Sequence, residues 1–326
     1  MAVIRRNILT NPEVRDAYVR GVLLLKQQET SFLTSAYNIP GTAVPVRTYD
    51  LFVIWHHKTM RTPVPPDGDS GTRNAAHRGP VFLPWHRLML RFMELNLQRV
   101  LEDPTFGLPY WDWTVDGSPA ADGSPPSPAS SLIWDKKWMG GQGDPVNIGP
   151  FAFDAGFRVR IESDVGLALR QVDRGLRRSF GQPPPVGSPT LPSGDDLRAA
   201  FDTQATPDLA TYDVPPWDKS SGGFRNRLEG FKGTGLHNQV HRWVNGDMAP
   251  AHSPNDPVFF LHHCNVDRIW EGWMRRHGRV YLPDMTESDT LKGHRIDDPI
   301  VSPLGKDGTP GSVLDQTAEV TYDGLP

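Results

Sequence analysis

Apolar residues recur at helical spacing along several stretches of the chain, and each stretch predicts a helix. In residues 14–28, Val14, Tyr18, Val22 and Leu25 share a face, behind Asn11-Pro12, a capping residue followed by a proline suited to the first turn. Residues 49–58 place Leu51, Ile54 and Trp55 on one side. The clearest pattern opens at Pro84 and carries Leu88, Met89, Phe92, Leu95, Leu97 and Val100 before Asp103-Pro104 stops it. A short helix is predicted around residues 237–241, and a long one over residues 258–277, behind Asn255-Asp256-Pro257. Ser, Pro, Gly and Asp dominate residues 116–149 and 181–193, which are longer than ordinary connections. The tail after Pro283 is loop-rich, with one strand signal at 319–322, and no repeat of fixed period is present.

Composition narrows the class. Hydrophobic residues make up 37% of the 326, enough for a core, and 10 tryptophans argue against disorder despite 32 prolines and 31 glycines. The net charge of −4 offers no basic excess for nucleic acid or an anionic membrane. Apolar runs such as 51–55 and 258–261 are too short to span a bilayer. The N-terminal Arg5-Arg6 pair lacks an apolar stretch behind it, so no secretion signal is expected here. Cys264 is the single cysteine, which excludes an intrachain disulfide and a thiolate cluster. These features fit a cytoplasmic protein, or one exported through a partner's signal.

Candidate chemistry lies in the histidines. His237 and His241 are four residues apart, so on a helix their imidazoles stack one turn apart, a half-site for a transition metal. Two histidines on an ordinary amphipathic face would show the same spacing. The theme repeats, however: His56, His77 and His86 lie upstream and His262-His263 downstream, suggesting two metals with three imidazoles each. Neutral imidazole suits Cu, Zn, Fe and Ni. Carboxylate-bridged di-iron bundles use Glu-x-x-His pairs, and no acid stands three residues before His86, His237, His241 or His263. An all-imidazole site favours copper, and a copper pair can deliver two electrons to O2.

Three motifs carry a resemblance to a known family. His77-Arg78-Gly79-Pro80-Val81-Phe82-Leu83-Pro84-Trp85-His86-Arg87 resembles the first copper motif of the tyrosinases. His237-x3-His241, followed by Asn255-Asp256-Pro257-Val258-Phe259-Phe260-Leu261-His262-His263-Cys264-Asn265-Val266-Asp267-Arg268, resembles the second. Leu108-Pro109-Tyr110-Trp111-Asp112-Trp113 is similar to a further family segment. The likeness spans about residues 49–277 and is to the bacterial members above all.

The resemblance implies that His56, His77 and His86 bind one copper and His237, His241 and His263 the other. His57 then becomes a surface or supporting residue, and His262 packs behind His263. His252, His277 and His294 stand in no motif and read as solvent-facing or structural. Glu229 and Asn238 match the residues that hold a water near the coppers, a base for a phenol proton. Arg242 sits where the family tunes substrate access. Asp267 is expected to pair with an arginine, Arg87 being the candidate. Fungal and plant members carry a thioether-forming Cys where this chain has Ala75, and Cys264 reads as a small buried thiol.

The fold expected is mainly α: one domain over residues 1–326, a four-helix bundle around a dicopper centre, with long loops and a few short strands. The function implied is a type-3 copper oxidoreductase using O2 to hydroxylate monophenols at the ortho position and oxidise o-diphenols to o-quinones. Its partners are a small phenolic or aminophenolic substrate and a copper-delivery helper protein. Alternatives are a catechol or o-aminophenol oxidase lacking the hydroxylase step and, more remotely, a haemocyanin-like oxygen carrier. A dinuclear zinc hydrolase would require bridging carboxylates. The proline-stiffened loop 62–72, between two ligands, is expected to form part of the pocket rim.

Overall fold

The helix over residues 258–277 became the centre of the molecule. In the computed structural model, which describes residues 2–164, 167–302 and 308–326, it runs over Val258–His277, with residues 258–274 all buried. A helix buried on all sides needs partners on all sides. The helices of the chain are α1 (Pro12–Gln27), α2 (Thr48–Met60), α3 (Phe82–Leu101), α4 (Trp113–Gly117), α5 (Gly194–Ala200), α6 (Gly223–Glu229) and α7 (Leu236–Val244), which makes Val258–His277 α8. Helix α3 packs on α1 and α8, and α7 packs on α6 and α8. Helix α2 joins α8 through edge-to-face contacts of Tyr49 and Phe52 with Phe260, at 5.7 Å each. The expected helical bundle with long loops is thus observed. The short helices α4, α5 and α6 fall in stretches where no apolar period signals them.

Close approach of α1 to α3 depends on Gly21. A Cβ there would lie 2.6 Å from Leu97 Cδ2. The strands are short and form three two-stranded sheets: β1 (Val3–Arg5) parallel to β6 (Val320–Tyr322), β2 (Glu29–Leu33) antiparallel to β3 (Pro45–Arg47), and β4 (Val159–Ser163) antiparallel to β5 (Leu169–Arg174). Only β6 matches the strand expected from the sequence.

The β1/β6 pairing has a structural consequence. It brings Arg5 and Tyr322 to the α3/α8 junction, where both reach Asp267 Oδ2. Arg87 Nε donates to Asp267 Oδ1 at 2.6 Å, the partnership expected, and Arg87 also pairs with Glu271. Arg5 Nε pairs with Glu94 at 3.0 Å. Every charge in this buried cluster has a counter-charge, the condition under which buried ions are tolerated. No helix among the described residues is long and apolar enough to cross a membrane.

Candidate dicopper centre

Four helices deliver the histidines. Helix α2 carries His56, α3 carries His86, α7 carries His237 and His241, and α8 carries His262 and His263. His77 comes from the loop before α3. That loop is held by local and distant bonds. Asn74 Oδ1 accepts the N–H groups of Ala76 and His77, at 3.1 and 2.8 Å. The ring of His294, fully buried, donates from Nε2 to Asn74 O at 3.0 Å and accepts the Val81 N–H at 3.3 Å. His294 was expected to be solvent-facing or structural, and it is structural: the tail folds back to brace the loop carrying His77.

Two ligand groups result. The ring nitrogens of His56, His77 and His86 form one, and those of His237, His241, His262 and His263 the other, each within 4.8 Å. The groups abut: the His86 and His263 rings stack at 4.1 Å, and His77 and His237 lie 6.0 Å apart. Backbone carbonyls orient four of the rings. Nδ1 of His56 donates to Ala251 O at 2.7 Å, that of His86 to Phe82 O at 2.7 Å, that of His241 to Met248 O at 2.6 Å, and that of His237 to Glu229 O at 3.2 Å. Such bonds place the proton on Nδ1 and leave the Nε2 lone pair free for a metal. Nε2 of His56 and of His86 is buried without a hydrogen-bond partner among the described residues. His263 Nε2 lies 3.3 Å from Nε2 of both His237 and His241. Buried polar atoms left open and convergent fit a bound metal.

Burial also sets the protonation state. It holds His56 down at about 3 and His241 at about 4, and drives His77, His86, His237 and His263 well below the ordinary value, with neighbouring imidazoles adding to the effect in most of them. Neutral rings at ordinary pH are ready ligands.

The remaining doublet partners are not on the surface. His57 is 4% exposed, which removes the surface alternative. His262 is fully buried and stacks on His237 at 5.1 Å, inside the second nitrogen group rather than merely behind it. His252 is buried and takes part in a bond with the Ser163 hydroxyl.

Two aromatic residues absent from the sequence-derived site complete its walls. Phe82 lies 4.9 Å from His86 and 4.8 Å from His237, and Phe259 lies 4.1 Å from His263 and 5.0 Å from His56. Each stands four residues before a histidine of its own helix, a signal the sequence did contain.

A cleft of about 370 Å³ opens over the imidazoles, lined by His56, His77, His237 and His241 together with Met60, Arg78, Phe231, Asn238, Arg242 and Ser253, among others. Asn238 and Arg242 are therefore in the cleft, and Arg242 is anchored by a 2.7 Å bond to Gly187 O. Glu229 is not among the lining residues. Its carboxylate is fully buried at the end of α6, where Oε1 accepts the Arg78 N–H at 2.6 Å and Oε2 pairs with Arg225 at 3.0 Å. Burial pushes the Glu229 carboxyl up, against the pull of Arg225. Gly230, at φ 103°, reverses the chain there, and a Cβ on it would lie 2.8 Å from the Gly235 backbone. That reversal sets Glu229 beside His237. Loop 62–72 does not line the cleft, contrary to expectation. It runs behind the rim, with Ser70 O facing the Arg78 guanidinium at 3.4 Å.

The profile of the common central domain of tyrosinase matches residues 46–276. The chain belongs to the tyrosinase family. A tyrosinase of Streptomyces glaucescens is 38% identical over 84% of this chain and 88% of its own length. Grixazone synthase of Streptomyces griseus is 36% identical, over 99% of this chain and 100% of its own. Among solved structures, a polyphenol oxidase from Thermothelomyces thermophila superposes with a TM-score of 0.65 at 21% identity, covering 100% of this chain and 89% of that one. A functional unit of octopus hemocyanin gives 0.52 at 20%, covering 99% and 69%. At such identities the structural likeness speaks for the fold alone. The protein is a tyrosinase-type copper oxidase whose cofactor is a pair of copper ions and whose oxidant is O2.

Proposed function

We propose that the enzyme ortho-hydroxylates monophenols and oxidises o-diphenols to o-quinones, with His56, His77 and His86 holding one copper and His237, His241 and His263 the other. His263 is preferred over His262 because its Nε2 reaches both α7 histidines and its ring stacks on His86. When bound, the copper pair supplies O2 binding and a two-electron exchange. The chain supplies the rest. The cleft receives the ring between Met60, Phe231 and Pro250. Phe82 and Phe259 fix the imidazole planes. Arg242 governs access at the mouth.

The observation that carries the hydroxylase reading is the convergence of Glu229 and Asn238 on His237. The Glu229 backbone carbonyl and Asn238 Oδ1 both face His237 Nδ1, at 3.2 and 3.1 Å, which sets both residues beside that ring, while the Glu229 carboxylate is held by the Arg78 N–H and Arg225. A carboxylate offers about four lone-pair sites, so the two donors already on Glu229 leave capacity for a water shared with Asn238. That water takes the phenol proton, and a carboxyl raised by burial is the better base for it.

A second reading has its own support. The relative matched end to end is named as a synthase and not as a tyrosinase. In that reading the enzyme carries out only the oxidation of a catechol or o-aminophenol, as one step of a biosynthetic route. Oxygen uptake by the copper-loaded protein separates the two. Quinone formed from a monophenol after a lag supports hydroxylation; turnover restricted to a catechol or an o-aminophenol overturns it. We further propose that a helper protein delivers the copper, which copper uptake with and without cell extract would test.

A further inference from the structure

Arg78 lines the cleft directly after His77, in a backbone conformation that arginine rarely adopts, φ 61°. The left-handed region strains any residue that carries a Cβ. Its N–H bond to Glu229 does not account for the side chain, because a glycine would make the same bond without strain. The guanidinium acts on the buried Glu229 carboxylate at a distance, and that group is already held by Arg225 and by the Arg78 N–H. The Arg78 side chain makes no ion pair among the described residues; a long bond to Ser70 O and a face-on approach to Phe231, 5.9 Å from the centroid, are its contacts. Asp69 feels its charge, but that carboxylate is engaged by the Gly71 N–H and the Thr72 hydroxyl of its own loop. Arg242 is the second cation of the cleft and likewise lacks an acidic partner among the described residues. No Asp or Glu lines the cleft. A small apolar cleft with two unmatched guanidiniums is built for a ligand that brings the negative charge.

We propose that Arg78 is a specificity-determining residue that binds a carboxylate on the phenolic substrate, so that the enzyme prefers acidic phenols to neutral or cationic ones. This rests on the reading that the cleft admits a phenolic ring, and on neither choice between hydroxylase and oxidase.

The test uses three catechols on the copper-loaded protein: dihydrocaffeate, its primary amide and dopamine. The parent is expected to favour dihydrocaffeate in kcat/KM. Arg78→Gln should lower the ratio of dihydrocaffeate to amide about five- to tenfold, through KM, as expected for a charge-assisted bond at a partly exposed site. Arg78→Lys should fall between, and added salt should shrink the parent's preference. Where Arg78→Gln fails to fold, Arg78→Gly, at ease at this φ, gives the same readout. An unchanged ratio in the neutral variants, or a parent preference for dopamine, overturns the proposal. Failure of the functional reading is distinguishable, because binding of hydrocinnamate and hydrocinnamamide can be titrated without turnover. Tighter binding of the acid that is lost in Arg78→Gln supports the clamp. A preference that survives the substitution places the carboxylate elsewhere, on copper for example, and overturns it.

Discussion

Replacing Asp267 by alanine tests what holds the two histidine-bearing halves of the site together. Asp267 is 3% exposed and accepts from Arg87 at 2.6 Å, Arg5 at 3.1 Å, Gln316 at 2.9 Å and the Tyr322 hydroxyl. Truncation takes one of its carboxylate partners from each of two buried guanidiniums. Breaking a buried pair in this way costs about 3–5 kcal/mol. Glu271 remains on Arg87 and Glu94 on Arg5, so the lower end, about 3 kcal/mol, is expected. At roughly 2 °C per kcal/mol for a chain this large, the copper-free protein should melt about 6 °C lower. Arg87 adjoins His86 and Asp267 lies one turn beyond His263, so the same change should lower copper content per chain. Asp267→Asn should lose less stability and flatten the acid limb. The sign follows from linkage: Arg87 and Arg5 hold the Asp267 carboxyl below its ordinary value. Its stabilisation is therefore present above the unfolded pKa, near 4, and lost as pH falls through the folded one. A thermal melt of Asp267→Ala within 1 °C of the parent, at full copper occupancy, would refute the claim that this cluster clamps α3 to α8.

Further outcomes follow from the site. The copper-free protein should lose stability as pH drops below about 6.5, because His56, His241 and His294 are neutral in the fold down to about 3, 4 and 3 but bind protons when unfolded. Each contributes up to about 1.4 kcal/mol per pH unit, and a flat melting profile from pH 7 to 5 would contradict this. Copper should suppress the His56 and His241 parts of that slope and leave the His294 part. His263→Ala should retain about one copper per chain and His262→Gln two, as read by metal analysis; the reverse pattern would exchange their roles. His294→Ala should weaken copper retention at the His56/His77/His86 group selectively, by roughly ten- to a hundredfold as for other lost supports of a metal ligand. Phe259→Ala should destabilise the protein by about 3–5 kcal/mol in urea unfolding, since it empties a fully buried aromatic position.

What the sequence revealed of this site is what chemistry writes locally. The His237/His241 pair, the helix carrying His86 and the long helix with His263 are legible because ligand spacing and helical period occupy the same few residues. Phe82 and Phe259 belong to that class, each one helical turn from a ligand, and were there to be read. His294 and Arg5 are of a different kind. Their roles arise from contacts hundreds of residues away along the chain, through the β1/β6 pairing and the returning tail, and three-residue strands carry too little period to announce such a pairing. Loop 62–72 shows the opposite error. Its place between two ligands along the chain suggested a place at the rim in space, yet a loop joining two site residues can close over the site or behind it. Here Ser70 lies behind Arg78, and the rim passes to Arg78 itself. The candidate ligands were thus set by short-range pattern and the access surface by long-range packing. The same division separates what the enzyme does, fixed by imidazoles, from the proposed choice of phenol, which would rest on a side chain whose left-handed backbone no spacing rule marks.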